Sequence, residues 1–285
     1  MIVVTGGAGF IGSRVIQELN HRGINNIIIV DDLTIGEKFN TLKKLKFSRY
    51  IDIDSVDTID LSRVKKVFHC GGISSTVENN GKLLMKQNYE STVEWAHYCE
   101  LYDIPMVYLS SASVYGNSNT FVESDPVDPL NPYAYSKALS EQSVARYNNV
   151  WVFRPFNVYG DGEEYKGNQA SPISKFKIQH QTQGYVEVFD GSHNIRRDFI
   201  CVDDVVKILV DYTEKNPGLY NLGTGETESF YNIAKMISDD VREIEFPVNL
   251  KDKYQYYSCA DTTKLKTLIG DYKFIKVKEY VIFSN

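Results

Sequence analysis

A tyrosine and a lysine four residues apart, Tyr133 and Lys137, form the pair in this chain whose types and spacing are best suited to proton transfer. Asn131 and Pro132 precede them and favour a helix start, so both side chains are expected on one helix face. The pKa of a free phenol is about 10, and a neighbouring ammonium and a helix N-terminus both favour the phenolate. We therefore expect Tyr133 to exchange a proton with an alcohol.

Two serines, Ser110 and Ser111, follow an apolar run over residues 106–109 that is typical of a buried strand. Open α/β sheets bind their ligands at the carboxyl ends of their strands, where these serines are expected to lie. A hydroxyl at this place can hydrogen-bond the same substrate oxygen as Tyr133. Ser113 is a weaker candidate, because a turn residue is the simpler interpretation of its position.

A glycine-rich motif lies near the start of the chain, between a predicted strand over residues 2–5 and a predicted helix. Gly6, Gly9 and Gly12 are spaced three apart, which allows a tight turn and a close approach to a pyrophosphate at the helix N-terminus. Asp31 ends the next apolar run, 19 residues after Gly12, near the roughly 20 expected for a carboxylate that binds the adenosine ribose. Together these features predict dinucleotide binding.

Short apolar runs alternate with helical patterns through the first half of the chain. The predicted strands are residues 2–5, 27–30, 67–68, 106–109 and 151–153, and the catalytic helix is predicted over 131–147. Continuous apolar strands joined by helices are typical of a parallel sheet covered on both faces. The sequence therefore predicts an α/β fold with a doubly wound, Rossmann-type sheet.

The alternation breaks near Gly160, and the rest of the chain predicts a smaller, discontinuous substrate-binding lobe. Asp203 and Asp204 are expected to cap a helix that returns to the first layer. The predicted dinucleotide-binding domain is 1–157 plus 199–224, and the predicted substrate-binding lobe is 158–198 plus 225–285. We expect the active site in the cleft between them.

Composition limits the classes of partner. The chain has 285 residues, is 42% hydrophobic and 24% charged, and has a formal net charge of −6. This balance argues against nucleic-acid binding, which needs a basic surface. The four cysteines and five histidines are scattered, so no metal site is expected. No run approaches the roughly 18 apolar residues of a membrane span, and no signal sequence is visible, so a cytoplasmic protein without membrane partners is expected.

The motifs TGGAGFIG, SSASVYG and YAYSK, in this order, resemble the extended short-chain dehydrogenase/reductase family. That family acts on nucleotide-activated sugars through a bound nicotinamide cofactor. Six further segments are most similar to one group within that family, the ADP-L-glycero-D-manno-heptose 6-epimerases. These segments are HCGGISST (69–76), FRPFNVYG (153–160), YKGNQAS (165–171), FDGSHNIRRDF (189–199), NLGTGETESF (221–230) and KYQ (253–255).

The resemblance implies roles for individual residues. The implied catalytic residues are Tyr133, Lys137, Ser111 and a second acid/base, Lys166. The implied cofactor-binding residues are Gly6, Gly9, Phe10, Ile11, Gly12, Asp31, Asp32, Lys38, Cys70, Gly71, Gly72, Ser74, Asn88 and Lys137. The implied substrate-binding residues are Ser75, Asn157, Val158, Asn168, Lys175, Phe189, Asp190, Gly191, Ser192, Arg197 and Tyr254.

The implied reaction is epimerisation at C6 of the heptose of ADP-glycero-manno-heptose, by transient oxidation and re-reduction with the bound cofactor. The ketone must turn between the two half-reactions, so two acid/base groups, Tyr133 and Lys166, suffice. The acidic pair of family dehydratases is replaced by Ala112 and Ser113, which disfavours water elimination. A UDP-hexose 4-epimerase or other nucleotide-sugar epimerase, a net reductase and a non-catalytic dinucleotide-binding module remain alternatives.

The resemblance also implies NADP as cofactor, with NAD possible, and a homo-oligomer. Lys38 is the candidate partner of a 2′-phosphate. Asp32 stands where heptose enzymes usually carry asparagine, and Ile53 stands where some carry lysine. An extra carboxylate repels a 2′-phosphate, so the choice between the two cofactors stays open at this point.

Overall fold

The computed structural model describes residues 1–214, 216–248 and 254–283, and the side chains of Glu164, Asn168 and Phe283 lie outside the described part. Its strands are β1 (Ile2–Thr5), β2 (Ile27–Asp31), β3 (Arg49–Asp52), β4 (Lys66–His69), β5 (Met106–Leu109), β6 (Val150–Pro155), β7 (Val158–Tyr159), β8 (Val186–Phe189), β9 (Arg196–Asp198), β10 (Ile200–Cys201), β11 (Gly218–Leu222), β12 (Thr227–Ser229), β13 (Val241–Ile244) and β14 (Tyr257–Ser258).

The helices alternate with these strands. They are α1 (Phe10–His21), α2 (Phe39–Leu42), α3 (Gly81–Leu84), α4 (Ser91–Leu101), α5 (Pro132–Val144), α6 (Pro172–Gln183), α7 (Val202–Asp211), α8 (Phe230–Ile237), α9 (Thr263–Ile269) and α10 (Val277–Phe283). A π-helical turn, Met85–Glu90, joins α3 to α4, and short 3-10 turns include Ala112–Tyr115 and Glu164–Gln169. Among the described residues, no helix is long and apolar enough to cross a bilayer.

A seven-stranded sheet in the order β11-β6-β5-β4-β1-β2-β3 organises the described chain. All of its strand pairs are parallel. The strand order reverses between β1 and β4, and in doubly wound sheets ligands bind in the crevice at such a reversal. The predicted fold class is confirmed.

Alternating side chains of the central strands fill two cores. On β1, Val3 packs with Trp95 of α4, whereas Val4 packs with Val15 and Ile16 of α1. Successive side chains of a strand point to opposite faces, so a strand covered by helices on both faces is apolar throughout. This explains the unbroken apolar runs in the sequence.

Smaller sheets build the region expected to be the substrate lobe. They are β10-β7, β12-β9-β14 and β13-β8. Tyr159, Ile173, Val186 and Ile233 share a separate core there. The pair β7 and β10 spans the predicted boundary, and α9 packs Leu265 against the core of the large sheet. The division into two domains therefore stays a prediction.

Helix α5 begins where the sequence predicts. Asn131 caps it, accepting a hydrogen bond from the amide of Ala134 at 2.9 Å, and Pro132 occupies the first turn. The predicted cap on α7 is wrong, because Cys201 holds the cap position and Asp203 lies inside the first turn. Its carboxylate acts on the helix dipole instead.

A buried ion pair fixes α5 on the sheet. Arg154 of β6 donates to Glu141 of α5, with Nη2 2.6 Å from Oε2, and the two side chains are 3% and 8% exposed. Ser110 also donates to Glu141, so one carboxylate joins α5 to the ends of β5 and β6.

We expect Glu141→Ala to lower the free energy of unfolding by about 3 kcal/mol, because it leaves the buried guanidinium of Arg154 without its carboxylate. Urea denaturation measures this change. Glu226 supplies the control, because its pair with Lys276 is 72% and 63% exposed and Glu226→Ala should cost under about 1 kcal/mol. Equal losses for both variants would contradict the prediction.

Candidate active site

The glycine-rich turn after β1 is packed too tightly for side chains. Gly6 has φ +63°, and a Cβ added to it would lie 2.7 Å from the Cα of Gly71. A Cβ on Gly12 would lie 2.1 Å from the carbonyl oxygen of Gly6. Phe10 is buried in the core and Ile11 packs against it. Backbone amides at the start of α1 are therefore the groups that this turn offers to an anion.

The turn after β4 lies against the first one. The amide of Gly71 donates to Thr5 Oγ1 at 3.1 Å. The side chain of Asn88 is fully buried; its Oδ1 accepts from the amide of Ile73 at 2.7 Å, and its Nδ2 donates to Ser136 Oγ at 2.9 Å. Asn88, which lies in the π-helical turn Met85–Glu90, thus connects the turn after β4 to α5 by hydrogen bonds.

Asp31 is buried at the end of β2, beside the first glycine turn. Its Oδ2 accepts from the amide of Ala8 at 2.8 Å, and its Oδ1 accepts from the amide of Asp32 at 2.7 Å and from Lys38 Nζ at 2.9 Å. A carboxylate accepts about four hydrogen bonds, so room remains on Oδ2 for a ribose hydroxyl. Lys38 is already paired.

Tyr133 and Lys137 lie one turn apart on α5, both buried. The Ser111 side chain lies close enough to the Tyr133 phenol to lower its pKa, and Ser113 Oγ lies 2.9 Å from Ser111 Oγ. Lys137 Nζ donates to the carbonyl oxygen of Leu109 at 2.9 Å and lies 3.6 Å from the place a Cβ on Gly72 would take. The structure thus brings the predicted pair and serine together beside the second glycine turn.

Burial decides the protonation of this pair in the free protein. It raises the pKa of the Tyr133 phenol, an effect that the Ser111 side chain opposes. It also lowers the pKa of Lys137 to about 8, against the opposing charges of Cys70 and Glu141. Burial therefore opposes the acidification of the phenol that the sequence predicts, because desolvation disfavours the charged form. Tyr133 is a protonated phenol in the free protein.

Lys166 lies beside Phe10, the first residue of α1. It lies in the 3-10 turn Glu164–Gln169, with Nζ 5.0 Å from the centre of the Phe10 ring. Its side chain is 20% exposed, and its ammonium lies 3.8 Å from Glu163 Oε2. Burial lowers the pKa of Lys166, and Glu163 raises it. The second predicted acid/base therefore lies over the first glycine turn.

Arg197 contacts two of the other predicted substrate-binding residues, Asn157 and Tyr254. Its Nη1 donates to Asn157 Oδ1 at 3.4 Å, and its guanidinium lies 5.1 Å from the ring centre of Tyr254. Another guanidinium N–H donates to the carbonyl oxygen of Gln255, whereas Nε has no hydrogen-bond partner among the described residues. Burial lowers the pKa of Arg197, but a guanidinium stays charged in proteins. Arg197 is half-buried and forms no ion pair with a carboxylate among the described residues, so its guanidinium is suited to bind a diphosphate.

An aromatic cluster adjoins Arg197. Phe246 lies 5.1 Å from Phe189, 5.2 Å from Tyr254 and 5.8 Å from Tyr256, measured between ring centres. The Oγ of Ser192 is buried without a partner among the described residues. Sequence reasoning missed Phe246 and Tyr256. In the sequence, only the position of Phe246 directly before Pro247 could have drawn attention to it, and that pattern is weak.

The other predicted residues take varied positions. Cys70 is half-buried and Ser75 buried, whereas Ser74, Lys175 and Asp190 are exposed. Gly191 has φ +79° in the turn after β8, and Val158 packs against the large core. The side chain of Asn168, and Lys253 of the KYQ segment, lie outside the described residues.

Comparison with known proteins identifies the family of the chain. The model of the NAD dependent epimerase/dehydratase family matches residues 2–223. The chain belongs to this family. The resemblance stated from the sequence is thereby confirmed, and family membership implies a nicotinamide dinucleotide as cofactor.

Two curated relatives match almost the whole chain. The ADP-L-glycero-D-manno-heptose-6-epimerase of Alkalilimnicola ehrlichii is 39% identical over 298 residues, covering 96% of this chain and 93% of the relative. That of Brachyspira hyodysenteriae is 39% identical over 300 residues, covering 97% and 94%. The crystal structure of the Helicobacter pylori ADP-L-glycero-D-manno-heptose-6-epimerase superposes with a TM-score of 0.86 at 23% identity, covering 99% of this chain and 94% of that one. At that identity the structural likeness concerns the fold.

The residues present fit a dinucleotide. At the N-terminus of α1 the backbone is left uncovered, because a Cβ would clash at Gly6, Gly12 and Gly71. Asp31 can still accept a hydrogen bond from a ribose hydroxyl. Lys137 lies beside the turn after β4, with Nζ 3.6 Å from the place a Cβ on Gly72 would take. The crevice is therefore a candidate active site.

We expect Gly12→Ala to weaken nicotinamide dinucleotide binding at least tenfold, because the new methyl would displace the Gly6 carbonyl and open the turn. Titration calorimetry measures the dissociation constant. Gly81→Ala is the matched control, since nothing lies within 4 Å of a Cβ there and its binding should equal wild type. Wild-type affinity in Gly12→Ala would contradict this account of the turn.

Proposed function

We propose that the protein inverts C6 of the heptose in ADP-glycero-manno-heptose, an isomerase reaction with no net oxidation. The observation that carries the proposal is the grouping of Tyr133, Ser111 and Lys137 beside the turn after β4. The substrate rests on the two relatives of 39% identity that bear this activity in their names. Arg197 supports a nucleotide diphosphate, because its buried Nε has no partner among the described residues.

The chain's own groups handle the proton at each position of the substrate oxygen. A nicotinamide cofactor held at the two glycine turns would supply the hydride acceptor and donor for C6. Tyr133, protonated in the free protein, gives its proton to the substrate oxygen in the reductive direction. Lys137, one turn away, favours the phenolate needed in the oxidative direction, and Ser111 orients the oxygen between them.

Lys166 serves the second position of the oxygen. Because the ketone turns between the two half-reactions, its oxygen leaves Tyr133 and needs a donor elsewhere. Lys166 lies over the first glycine turn, on a different segment from α5. An ammonium whose pKa burial has lowered exchanges a proton near neutral pH more readily than a free lysine does.

We also propose that the cofactor is NAD rather than NADP. Lys38, the candidate for a 2′-phosphate, already donates to Asp31 Oδ1 at 2.9 Å and to the carbonyl oxygen of Asp32 at 2.8 Å. The Thr34 hydroxyl lowers the pKa of Asp32, which keeps this carboxylate ionised. The carboxylates of Asp31 and Asp32 repel a dianionic phosphate, and the one nearby ammonium, Lys38, is already engaged by Asp31.

The decisive experiment incubates the protein with ADP-D-glycero-D-manno-heptose and follows the C6 configuration by NMR. We expect both epimers at equilibrium and no net absorbance change at 340 nm, where a reductase would consume its cofactor. Tyr133→Phe should lower the rate about 10²- to 10⁴-fold. Tyr135→Phe, an exposed tyrosine on the same helix, should match wild type.

Conversion of a UDP-hexose in place of the heptose would assign the protein to another nucleotide-sugar epimerase. Full activity of Tyr133→Phe would overturn the proton-transfer scheme. Cofactor binding without turnover of any sugar nucleotide would favour a non-catalytic module.

For the cofactor, we expect NAD to bind at least tenfold more tightly than NADP, measured by quenching of protein fluorescence. Asp32→Asn removes one carboxylate and should narrow this ratio, whereas Asp57→Asn, on an exposed side chain far along the chain, should leave it unchanged. Tighter binding of NADP to the wild type would contradict the proposal. A cytoplasmic location and a homo-oligomer stay predictions.

A further inference from the structure

Glu163 is a buried carboxylate that neither the motif comparison nor the proposed mechanism uses. Its side chain is 1% exposed. Oε2 accepts from the amide of Ser171 at 2.6 Å, and Oε1 accepts from Ser171 Oγ at 2.7 Å and from the amide of Gly160 at 3.2 Å. These donors flank residues 161–170, so one carboxylate closes both ends of the segment that carries Lys166.

The same carboxylate faces the ammonium of Lys166. Nζ lies 3.8 Å from Glu163 Oε2, and the backbone amide of Lys166 donates to the Glu163 carbonyl oxygen at 2.9 Å. The charged groups that act on Lys166 within the described residues are Glu163, from its own segment, and Lys175, from α6. The contact from α1 is the uncharged ring of Phe10.

A largely buried ammonium needs a fixed countercharge to stay both charged and in place. Glu163 meets this need because its own oxygens are held by backbone amides and a hydroxyl, which fix their positions. The Glu163 charge raises the pKa of Lys166, whereas burial and the like charge of Lys175 lower it. Without Glu163, both remaining influences act in the same direction.

We propose that Glu163 is the positioning residue for Lys166: it anchors the 161–170 segment at both ends and holds the Lys166 ammonium over the first glycine turn. This deepens the proposed function, on which it rests for the role of Lys166 as second acid/base. The contacts themselves belong to the protein without ligands. They can therefore be tested apart from catalysis.

The test is Glu163→Gln, with Glu226→Gln as matched control, since Glu226 forms an exposed pair with Lys276. Reductive methylation across pH 6–10, read by mass spectrometry, gives the midpoint at which Lys166 becomes reactive. We expect Glu163→Gln to move this midpoint to lower pH, so that Lys166 reacts at least threefold faster at neutral pH. The midpoint in Glu226→Gln should equal wild type.

A midpoint rather than a rate is measured because a loosened segment would speed the reaction at every pH without moving the midpoint. An unmoved midpoint in folded Glu163→Gln would overturn the proposal. If that variant does not fold, Ser171→Ala replaces it, because it removes the hydroxyl that donates to Glu163 Oε1. A less firmly held carboxylate should also move the Lys166 midpoint to lower pH, and no movement there would overturn the proposal.

Epimerisation kinetics separate this inference from the proposed function. If Lys166 is the second acid/base, the limb of the kcat profile that it controls should move with the midpoint in Glu163→Gln, and Lys166→Met should lose most activity. A moved midpoint with wild-type epimerisation by Lys166→Met would uphold the positioning role and reject Lys166 as acid/base. An unmoved midpoint in Glu163→Gln, together with an inactive Lys166→Met, would reject the positioning role of Glu163 and uphold Lys166 as acid/base.

Discussion

The close approach of two backbone turns at the centre of the sheet is the constraint on which the rest of the site depends. β1 and β4 are neighbours, yet the helices that follow them cover opposite faces, so the chain diverges where the two strands end. Gly6 and Gly71 meet there with no space for a Cβ. This contact opens a crevice whose walls are backbone amides, and backbone is what a pyrophosphate can approach most closely.

The catalytic helix is held against that crevice by polar contacts that are themselves buried. Asn88 connects Ile73 of the second turn to Ser136 of α5, and Glu141 connects α5 to Arg154 of β6. Catalytic groups must be held within about 0.5 Å of their productive geometry. The buried hydrogen bond from Asn88 and the buried ion pair of Glu141 fix α5 in this way, and with it Tyr133 and Lys137.

The candidate site holds cations of this acidic chain that are largely shielded from solvent. The net charge is −6, yet Lys137 is buried and Arg197 half-buried. Lys137 is satisfied by a carbonyl oxygen rather than by a carboxylate, whereas Lys166 faces Glu163. Burial lowers the pKa of both ammonium groups.

Local patterns along the chain were enough to predict the features that depend on residues close in sequence. The glycine spacing, the Asn131–Pro132 helix start and the apolar runs of the parallel strands are local patterns, and each appears in the structure as expected. The pairing of Tyr133 with Lys137 follows from helical periodicity alone. Similarity of motifs then supplied the family.

Tertiary structure alone decided what each of these side chains meets. Lys38 is paired with Asp31, Asn88 lies behind the loop that it was expected to share with a ligand, and Phe246 joins the aromatic cluster from a distant segment. The protonated state of Tyr133 also follows from its burial. Desolvation and long-range contacts set these properties, and both depend on which distant residues the fold brings together rather than on spacing along the chain.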